Sequence, residues 1–137
     1  MKVMVIVKAS ADSEAGRMPS AAELTTMGAY NEQLVAGGIM LAGEGLHATA
    51  RGRRIQFGEG TPTVQSGPFG PAEQQIAGFW LWQVRSLDEA IEWARRAPFK
   101  TGDALELRPL ITAEDFGEAF TPELQQQEQR LREQLEN

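Results

Sequence analysis

The sequence predicts an α+β fold, in which an antiparallel sheet carries helices on one of its faces. Several segments have the β-branched or alternating composition of strands, and two stretches between them have residues at helical spacing behind a serine N-cap. The length of 137 residues fits one domain with one core. These observations favour a two-layer arrangement of helices on a sheet.

The amino-terminal part of the chain predicts a strand, a helix and a second strand. Val3 to Val7 is rich in β-branched residues, and a loop of small and polar residues follows it. Ser20 and Glu23 have the spacing of a capping box, and the helix that begins there ends at Gly37. Residues on one face of it recur at helical spacing, namely Leu24, Met27, Asn31, Leu34 and Val35. The apolar stretch Ile39 to Gly45 predicts the second strand.

The middle of the chain predicts an inserted β-hairpin followed by an aromatic strand. Arg53 to Phe57 alternates polar with apolar residues, and Thr61 to Gln65 follows a glycine-rich turn. The turn SGPFGP, from Ser66 to Pro71, precedes the clearest strand of the chain, Gly78 to Arg85. Because proline fixes φ and glycine allows positive φ, we expect this stiff turn to set the register of the strand.

A second capped helix and a last strand complete the predicted domain. Ser86 and Glu89 form another capping box, and the helix that they begin ends at Pro98. Leu105 and Leu107 alternate with charged residues in the last strand. The order β-α-β-(β-hairpin)-β-α-β is that of a ferredoxin-like antiparallel sheet with both helices on one face.

The last residues predict a helical extension, which divides the chain into a domain at 1–111 and an extension at 112–137. Thr112 to Gly117 fits one further helical turn, and Thr121 with Pro122 begins a final helix. The large apolar residues of that helix form a narrow stripe of Leu124, Leu131 and Leu135. Such a stripe does not stabilise an isolated helix, so we expect it to dock on a second subunit or another partner.

Composition and charge argue against several classes of protein. Hydrophobic residues make up 42% and charged residues 23%, which is typical of a globular domain. The formal charge of −6 disfavours a nucleic-acid partner, because phosphate binding depends on clustered lysine and arginine. With no cysteine and one histidine, no metal site or nucleotide cofactor is expected. No apolar run is long enough for a signal peptide or a membrane span, so a cytoplasmic protein without a membrane partner is expected.

The aromatic strand predicts a homodimer. Alternation directs Trp80, Trp82 and Val84 to one face of the sheet and Phe79 and Leu81 to the other, and both sets are apolar. Helices cover only one face of a two-layer fold, and an aromatic side chain buries roughly 150 to 250 Å² when it packs. A second copy of the same sheet is the simplest cover for the other face. We therefore expect a homodimer with a cleft where the packing is incomplete.

Four stretches resemble a known family. They are GEGL from Gly43, GPF from Gly67, GFWLWQVRSLDEAIEWARRAP from Gly78 and LELRPL from Leu105. In combination they are similar to the YCII-related domain, in its Asp-Gly-Pro-Phe subgroup, over about residues 1 to 111. The resemblance implies a dimeric α+β barrel, a fold that hosts isomerases, small monooxygenases and lyases and therefore fixes no chemistry. Ser66 stands where the subgroup has its aspartate.

Three residues are candidates for catalysis: Glu44, His47 and Ser66. His47 is the only histidine, and histidine is the one side chain that ordinarily titrates near neutral pH. Glu44 precedes it by three residues in a glycine-rich turn, where a carboxylate could orient the ring. The alternative for His47 is an exposed loop histidine. Ser66 could donate its hydroxyl, although no neighbouring base favours a nucleophile and a purely structural turn is the alternative.

Four residues are candidates for substrate binding: Arg54, Trp80, Trp82 and Arg108. The tryptophans could line an apolar pocket, with the arginines orienting a polar group of the ligand. Alternatively, the tryptophans form interface core, and Arg108 pairs with Glu106 across a wet face.

Two functions remain open from the sequence. The first is a small-molecule enzyme in which His47 acts as acid or base, with Glu44 as its orienting group. The second is a noncatalytic metabolite-binding or regulatory dimer whose final helix contacts a subunit or a protein partner. The residues do not identify a substrate for either.

Overall fold

The computed structural model describes residues 1–136, which form six strands and four α-helices. The strands are β1 (Lys2–Lys8), β2 (Met40–Gly45), β3 (Arg53–Gln56), β4 (Thr63–Ser66), β5 (Ile76–Gln83) and β6 (Leu105–Pro109). The helices are α1 (Ala11–Glu14), α2 (Ala21–Ala36), α3 (Leu87–Arg95) and α4 (Pro122–Glu136). Shorter 3-10 turns lie at Thr49–Arg51, Ala72–Gln74 and Ala113–Ala119.

The main sheet has four antiparallel strands in the order β2-β5-β1-β6. Strands β3 and β4 pair only with each other in a separate two-stranded sheet within the described residues 1–136. Because α2 connects β1 to β2 and α3 connects β5 to β6, the order is consistent with a ferredoxin-like fold. The prediction of an antiparallel α+β sheet is confirmed.

The core lies between the sheet and the two long helices of the domain. Two aromatic side chains of β5 lead it, with Trp82 fully buried and Trp80 only 5% exposed. The other buried members of this core cluster are Val3, Val5, Tyr30, Leu34, Ile39, Val84 and Ala90. Val3 and Val5 of β1, and Trp80 and Trp82 of β5, occupy alternate positions of their strands, so the predicted alternation is confirmed.

The opposite surface of the sheet, here called the open face, carries a second apolar set. Met4 and Ile6 of β1 stand directly across from Leu81 and Phe79 of β5, and all four are half-buried. Cross-strand partners share a face, so they form one continuous apolar strip. The buried residues of α2 and α3 belong to the core on the other side of the sheet.

The helix α2 begins where its cap predicts and buries part of the predicted stripe, since Leu34 is fully buried and Met27 packs against the core. The Ser20 hydroxyl accepts the backbone N–H of Glu23 at 3.1 Å. Tyr30 and Leu34 are its buried residues. Leu24 and Val35, predicted on the same stripe, are 59% and 62% exposed, so this part of the prediction is wrong.

A short helix, α1, lies in the segment predicted as a loop of small and polar residues. Ser10 and Ser13 form a reciprocal capping box, in which each side chain accepts the other's backbone N–H. Asp12 and Glu14 add negative charge in the first turn, where the helix dipole favours it. The cap and the charge explain the helical turn that apolar periodicity does not indicate.

The tail follows the predicted order of a short turn and a helix. The Thr121 hydroxyl accepts the backbone N–H of Leu124 at 3.3 Å, which caps α4 as predicted. None of the residues of α4 is buried. The predicted extension at 112–137 is described through residue 136, and Asn137 lies outside the described residues.

Candidate functional site

His47 lies in the exposed loop between β2 and the 3-10 turn at Thr49–Arg51. The Nη1 atom of Arg51 is 3.1 Å from both ring nitrogens, Nδ1 and Nε2. A guanidinium has only donors, so the ring nitrogen that meets it accepts. No hydrogen bond joins His47 to Glu44 in residues 1–136. The neighbour of the histidine is therefore a cation rather than the predicted carboxylate.

Glu44 belongs to β2, where it pairs with Phe79. This register places it on the open face, at one side of the apolar strip. Arg108 stands across from Met4 on β6, at the other side of the strip. From β2 to β6 is three strand spacings of about 4.8 Å each, so the two side chains flank the strip without meeting over it.

Arg108 also has the neighbour that its strand position predicts. Its Nη1 atom lies 3.7 Å from Oε2 of Glu106, and the two side chains are 71% and 47% exposed. An exposed ion pair of this kind contributes little to stability, with a median of about 0 to 1 kcal/mol. The guanidinium therefore lies at the rim of the open face, in contact with water. This arrangement matches the alternative in which Arg108 pairs with Glu106 and does not bind a substrate.

Trp80 and Trp82 lie in the core of the chain's own domain. The Trp80 indole N–H donates to Oδ1 of Asn31 at 3.0 Å, whereas the Trp82 indole N–H has no hydrogen-bond partner in residues 1–136. Both side chains are on the helix-covered face. The interpretation of either tryptophan as a pocket wall does not fit this placement, because Trp80 is only 5% exposed and Trp82 is fully buried.

A hydrogen-bonded cluster that the sequence did not predict joins α1, the 3-10 turn at Thr49–Arg51 and the SGPFGP turn near His47. The Glu14 carboxylate accepts the backbone N–H of Thr49 at 3.0 Å and its hydroxyl at 2.5 Å. The same hydroxyl accepts the backbone N–H of Phe69 at 3.3 Å. Glu14 thereby ties α1 to the His47 loop, and the Thr49 hydroxyl ties that loop to the SGPFGP turn. The three residues are far apart in sequence, and no local pattern links them.

The SGPFGP turn packs against the His47 loop at Gly67. A Cβ atom on Gly67 would lie 1.8 Å from the carbonyl oxygen of Thr49, so no larger residue fits there. The Gly67–Pro68 peptide bond is cis. Ser66, at the end of β4, is exposed, and its hydroxyl makes no hydrogen bond in residues 1–136. The placement favours the interpretation of this segment as a stiff structural turn.

Arg54 stacks on the same turn. Its guanidinium carbon lies 4.2 Å from the centroid of the Phe69 ring, a cation–π contact. The arginine remains exposed on β3. The structure therefore brings Arg54 and the SGPFGP turn together, and Arg54 lies on a different sheet from the buried tryptophans.

A cavity of about 560 Å³ opens between α1, the first half of α2 and the loop that follows α3. Its apolar lining includes Val7, Met27, Ala77 and Phe99, and its charged lining is Lys8, Asp12, Arg17, Glu23, Lys100 and Asp103. None of the site residues predicted from the sequence lines this cavity. Its lining comes from segments that are distant in sequence, so no local motif predicts it.

The carboxylate of Glu23 is held in its charged form at the rim of this cavity. Its Oε1 atom lies 2.9 Å from Nη2 of Arg17 and accepts the Ser20 hydroxyl at 3.1 Å. The hydrogen bonds from Arg17 and then Ser20 lower the pKa of Glu23. A second ion pair, between Lys100 Nζ and Asp12 Oδ2 at 3.6 Å, crosses the rim nearby.

No group of three or more acidic or histidine side chains in residues 1–136 is placed to hold a metal ion. No helix within the same residues is both long and apolar enough to cross a bilayer. The candidate site residues are thus one histidine together with carboxylates and arginines that do not form one cluster. The cavity lined by Lys8 and Lys100 is a separate feature.

The fold and these sites define a small ferredoxin-like α+β protein. The chain belongs to the family of the YCII-related domain, whose model matches residues 1–114. It is 37% identical over 65 residues to an uncharacterised protein of Rhizobium meliloti, an alignment that covers 45% of this chain and 52% of that protein. The chain thus spans about half the length of the curated relative that it matches.

A similar solved structure is that of a 5-chloro-2-hydroxyhydroquinone dehydrochlorinase from Burkholderia phenoliruptrix, in complex with 2,5-dihydroxybenzoquinone. The alignment covers 84% of this chain and 99% of that chain, with 17% identity and a TM-score of 0.44.

Proposed function

We propose that this YCII-related protein is a homodimer that pairs through the open face and binds a small molecule at the edge of that interface. The proposal depends on the apolar strip of Met4, Ile6, Phe79 and Leu81. The long helices α2 and α3 pack on the opposite face of the sheet and do not cover this strip. Large apolar side chains are each worth about 1.5 to 3 kcal/mol when fully buried, so a half-buried strip of four favours a cover.

A second copy of the same face is the cover that needs no other partner. A two-fold interface is self-complementary, because each protomer supplies the same strip. Glu44 and Arg108 flank the strip on its two sides, so they belong to the rim of the proposed interface. Rims of interfaces are polar and wet, which suits a cleft where a small molecule meets charged groups.

The chemistry proposed for this dimer is proton transfer by His47. The ring is exposed, accepts from Arg51 and lies on a loop that Glu14 and the SGPFGP turn hold in place. In this proposal Ser66 and Arg54 contribute polar groups from the neighbouring hairpin. The titration of the single histidine by NMR, with and without a candidate ligand, tests the catalytic part. If the resonances of the ring do not change with any ligand that binds, the catalytic role of His47 is contradicted and a dimer that only binds ligand remains.

The dimer is tested by sedimentation velocity at micromolar concentration. We expect the wild-type protein to sediment at twice the protomer mass of 15.0 kDa and Leu81→Lys to sediment as a monomer. Val35→Lys is the matched control, because Val35 is 62% exposed on α2 and does not lie on the open face. A wild-type particle of 15.0 kDa would contradict the dimer.

A second candidate function rests on α4. Its three leucines, Leu124, Leu131 and Leu135, are 46%, 53% and 86% exposed. An apolar stripe left in water favours docking, so this candidate is a noncatalytic regulatory dimer whose α4 contacts a subunit or a protein partner. Deletion of residues 121–137 tests it. A folded dimer that has lost its partner supports it, whereas a truncated chain that unfolds or becomes monomeric makes α4 a structural part of the dimer.

A further inference from the structure

Strand β1 brings two consecutive residues to the same cavity. Regular alternation would place Val7 on the helix-covered face with Val5, and Lys8 on the open face with Ile6. The register between β1 and β5 shifts between Val7 and Lys8, and both residues line the cavity between α1 and α2. Bulges of this kind re-aim side chains and are over-represented next to active sites. The extra residue of this bulge is Ala77 of β5, because Val7 pairs with Gly78 and Lys8 with Ile76. The bulge therefore lies opposite the end of β1, and Val7, Lys8 and Ala77 all line the cavity.

Lys8 differs from the other cations of the cavity in having no carboxylate. Arg17 and Lys100 each pair with an acidic residue of the rim, at 2.9 and 3.6 Å. The remaining acid of the lining, Asp103, accepts the backbone N–H of Lys100 at 3.0 Å. Within residues 1–136 the Lys8 ammonium has no ion pair and no hydrogen bond, although the residue is half-buried. A half-buried cation without a counter-charge favours an anionic ligand.

The floor of the cavity is apolar and continuous with the core. Val7, Met27 and Phe99 pack against the buried residues beneath the helices. The Phe99 ring meets Trp80 edge to face, with centroids 6.2 Å apart. The volume of about 560 Å³ lies within the range of about 300 to 1,000 Å³ that is typical of small-molecule sites.

The geometry points to a binding site for a small apolar monocarboxylate in this cavity. Its carboxylate binds the Lys8 ammonium, and its apolar body lies against Val7, Met27 and Phe99. One unpaired cation matches one negative charge, whereas a dianion would bring its second charge to the acidic rim. The site lies within one protomer and does not use the open face, so it stands apart from the proposed dimer.

Benzoate and its uncharged isostere benzamide test the charge requirement by isothermal titration calorimetry on the full chain. We expect Lys8→Gln to weaken benzoate binding by about tenfold or more, because a charge-assisted hydrogen bond is lost, and to leave benzamide binding unchanged. Lys2→Gln is the matched control, since it removes the same charge from the other end of β1, outside the cavity. It should bind benzoate as the wild type does.

A second variant tests the location. Ala22 lines the cavity from an exposed position of α2, so Ala22→Trp fills the cavity without disturbing the core and should weaken both probes equally. Undetectable benzoate binding at millimolar concentration would overturn the inference, as would full affinity in Lys8→Gln. Sedimentation of the same samples reports the proposed dimer independently, so failure of one does not imply failure of the other.

Discussion

The two faces of the main sheet have nearly the same apolar composition and very different surroundings. On the covered face, Val5 and Trp82 are fully buried beneath α2 and α3. On the open face, their chain neighbours Ile6 and Leu81 remain half-buried. Alternation along a strand determines the face of the sheet on which a side chain lies. Whether that side chain is buried from water depends on whether helices pack on that face. The open face therefore retains apolar surface that the long helices do not cover.

Polar groups follow the same division. Beneath the helices, the Tyr30 hydroxyl donates to the Trp93 carbonyl at 2.7 Å, and the Trp80 indole donates to Asn31. At the edge of the open face, Glu106 and Arg108 form an exposed ion pair. Buried polar groups require specific partners, whereas exposed charges exchange theirs with water. The covered face should therefore respond to single substitutions far more strongly than the open face.

The largest effect is expected for Trp82→Ala. Removing a fully buried tryptophan should lower the free energy of unfolding by about 3 to 5 kcal/mol, because it loses burial and leaves a cavity. Leu81→Ala, one position along β5 on the open face, should cost clearly less. Urea unfolding at several protein concentrations separates the cost of packing from that of association. Equal costs at every concentration would remove the distinction between the faces.

Local patterns in the sequence predicted the strands and most of the helix boundaries. The alternation of Trp80, Leu81 and Trp82 assigns residues to faces correctly, because a strand has a fixed period of two. Serine and threonine caps at Ser20 and Thr121 locate two helix starts, because a cap acts on N–H groups within three residues. Such features depend on neighbours in sequence and are therefore readable from it.

Contacts between distant segments were not predictable in the same way. Tyr30 was missed as a core residue and Leu24 was wrongly expected there, because the rotation of α2 on the sheet is set by tertiary packing. The bond between Glu14 and Thr49 joins two segments 35 residues apart, and nothing in either segment indicates the other. The bulge at Ala77, opposite Lys8, likewise depends on how β1 pairs with β5, so the lysine-lined cavity had no signal in the sequence.

A smaller effect sharpens the comparison within the covered face. Trp80→Phe deletes the hydrogen bond to Asn31, whereas Trp82→Phe deletes an indole N–H that has no partner in residues 1–136. The two changes remove similar apolar volume, so we expect Trp80→Phe to cost about 1 kcal/mol more in the free energy of unfolding. Guanidinium denaturation of both variants measures the difference. A larger loss for Trp82→Phe would show that the indole N–H of Trp82 is satisfied after all.

The last prediction concerns alkaline pH, since stability does not change with the titration of Tyr30 at neutral pH, and it tests whether the covered face is shielded from water. Burial raises the pKa of Tyr30 from its ordinary value of 10.0 to about 12. The folded state therefore keeps a proton that the unfolded state loses, so this contribution to stability is complete below pH 10 and declines as the pH rises towards 12. Tyr30 is the only tyrosine, so absorbance of the phenolate reports it directly. The urea-unfolded protein, as control, should titrate near the ordinary value, and Tyr30→Phe should remove the signal. A folded protein whose tyrosine titrates together with the unfolded control would place Tyr30 in water and contradict the division between the two faces.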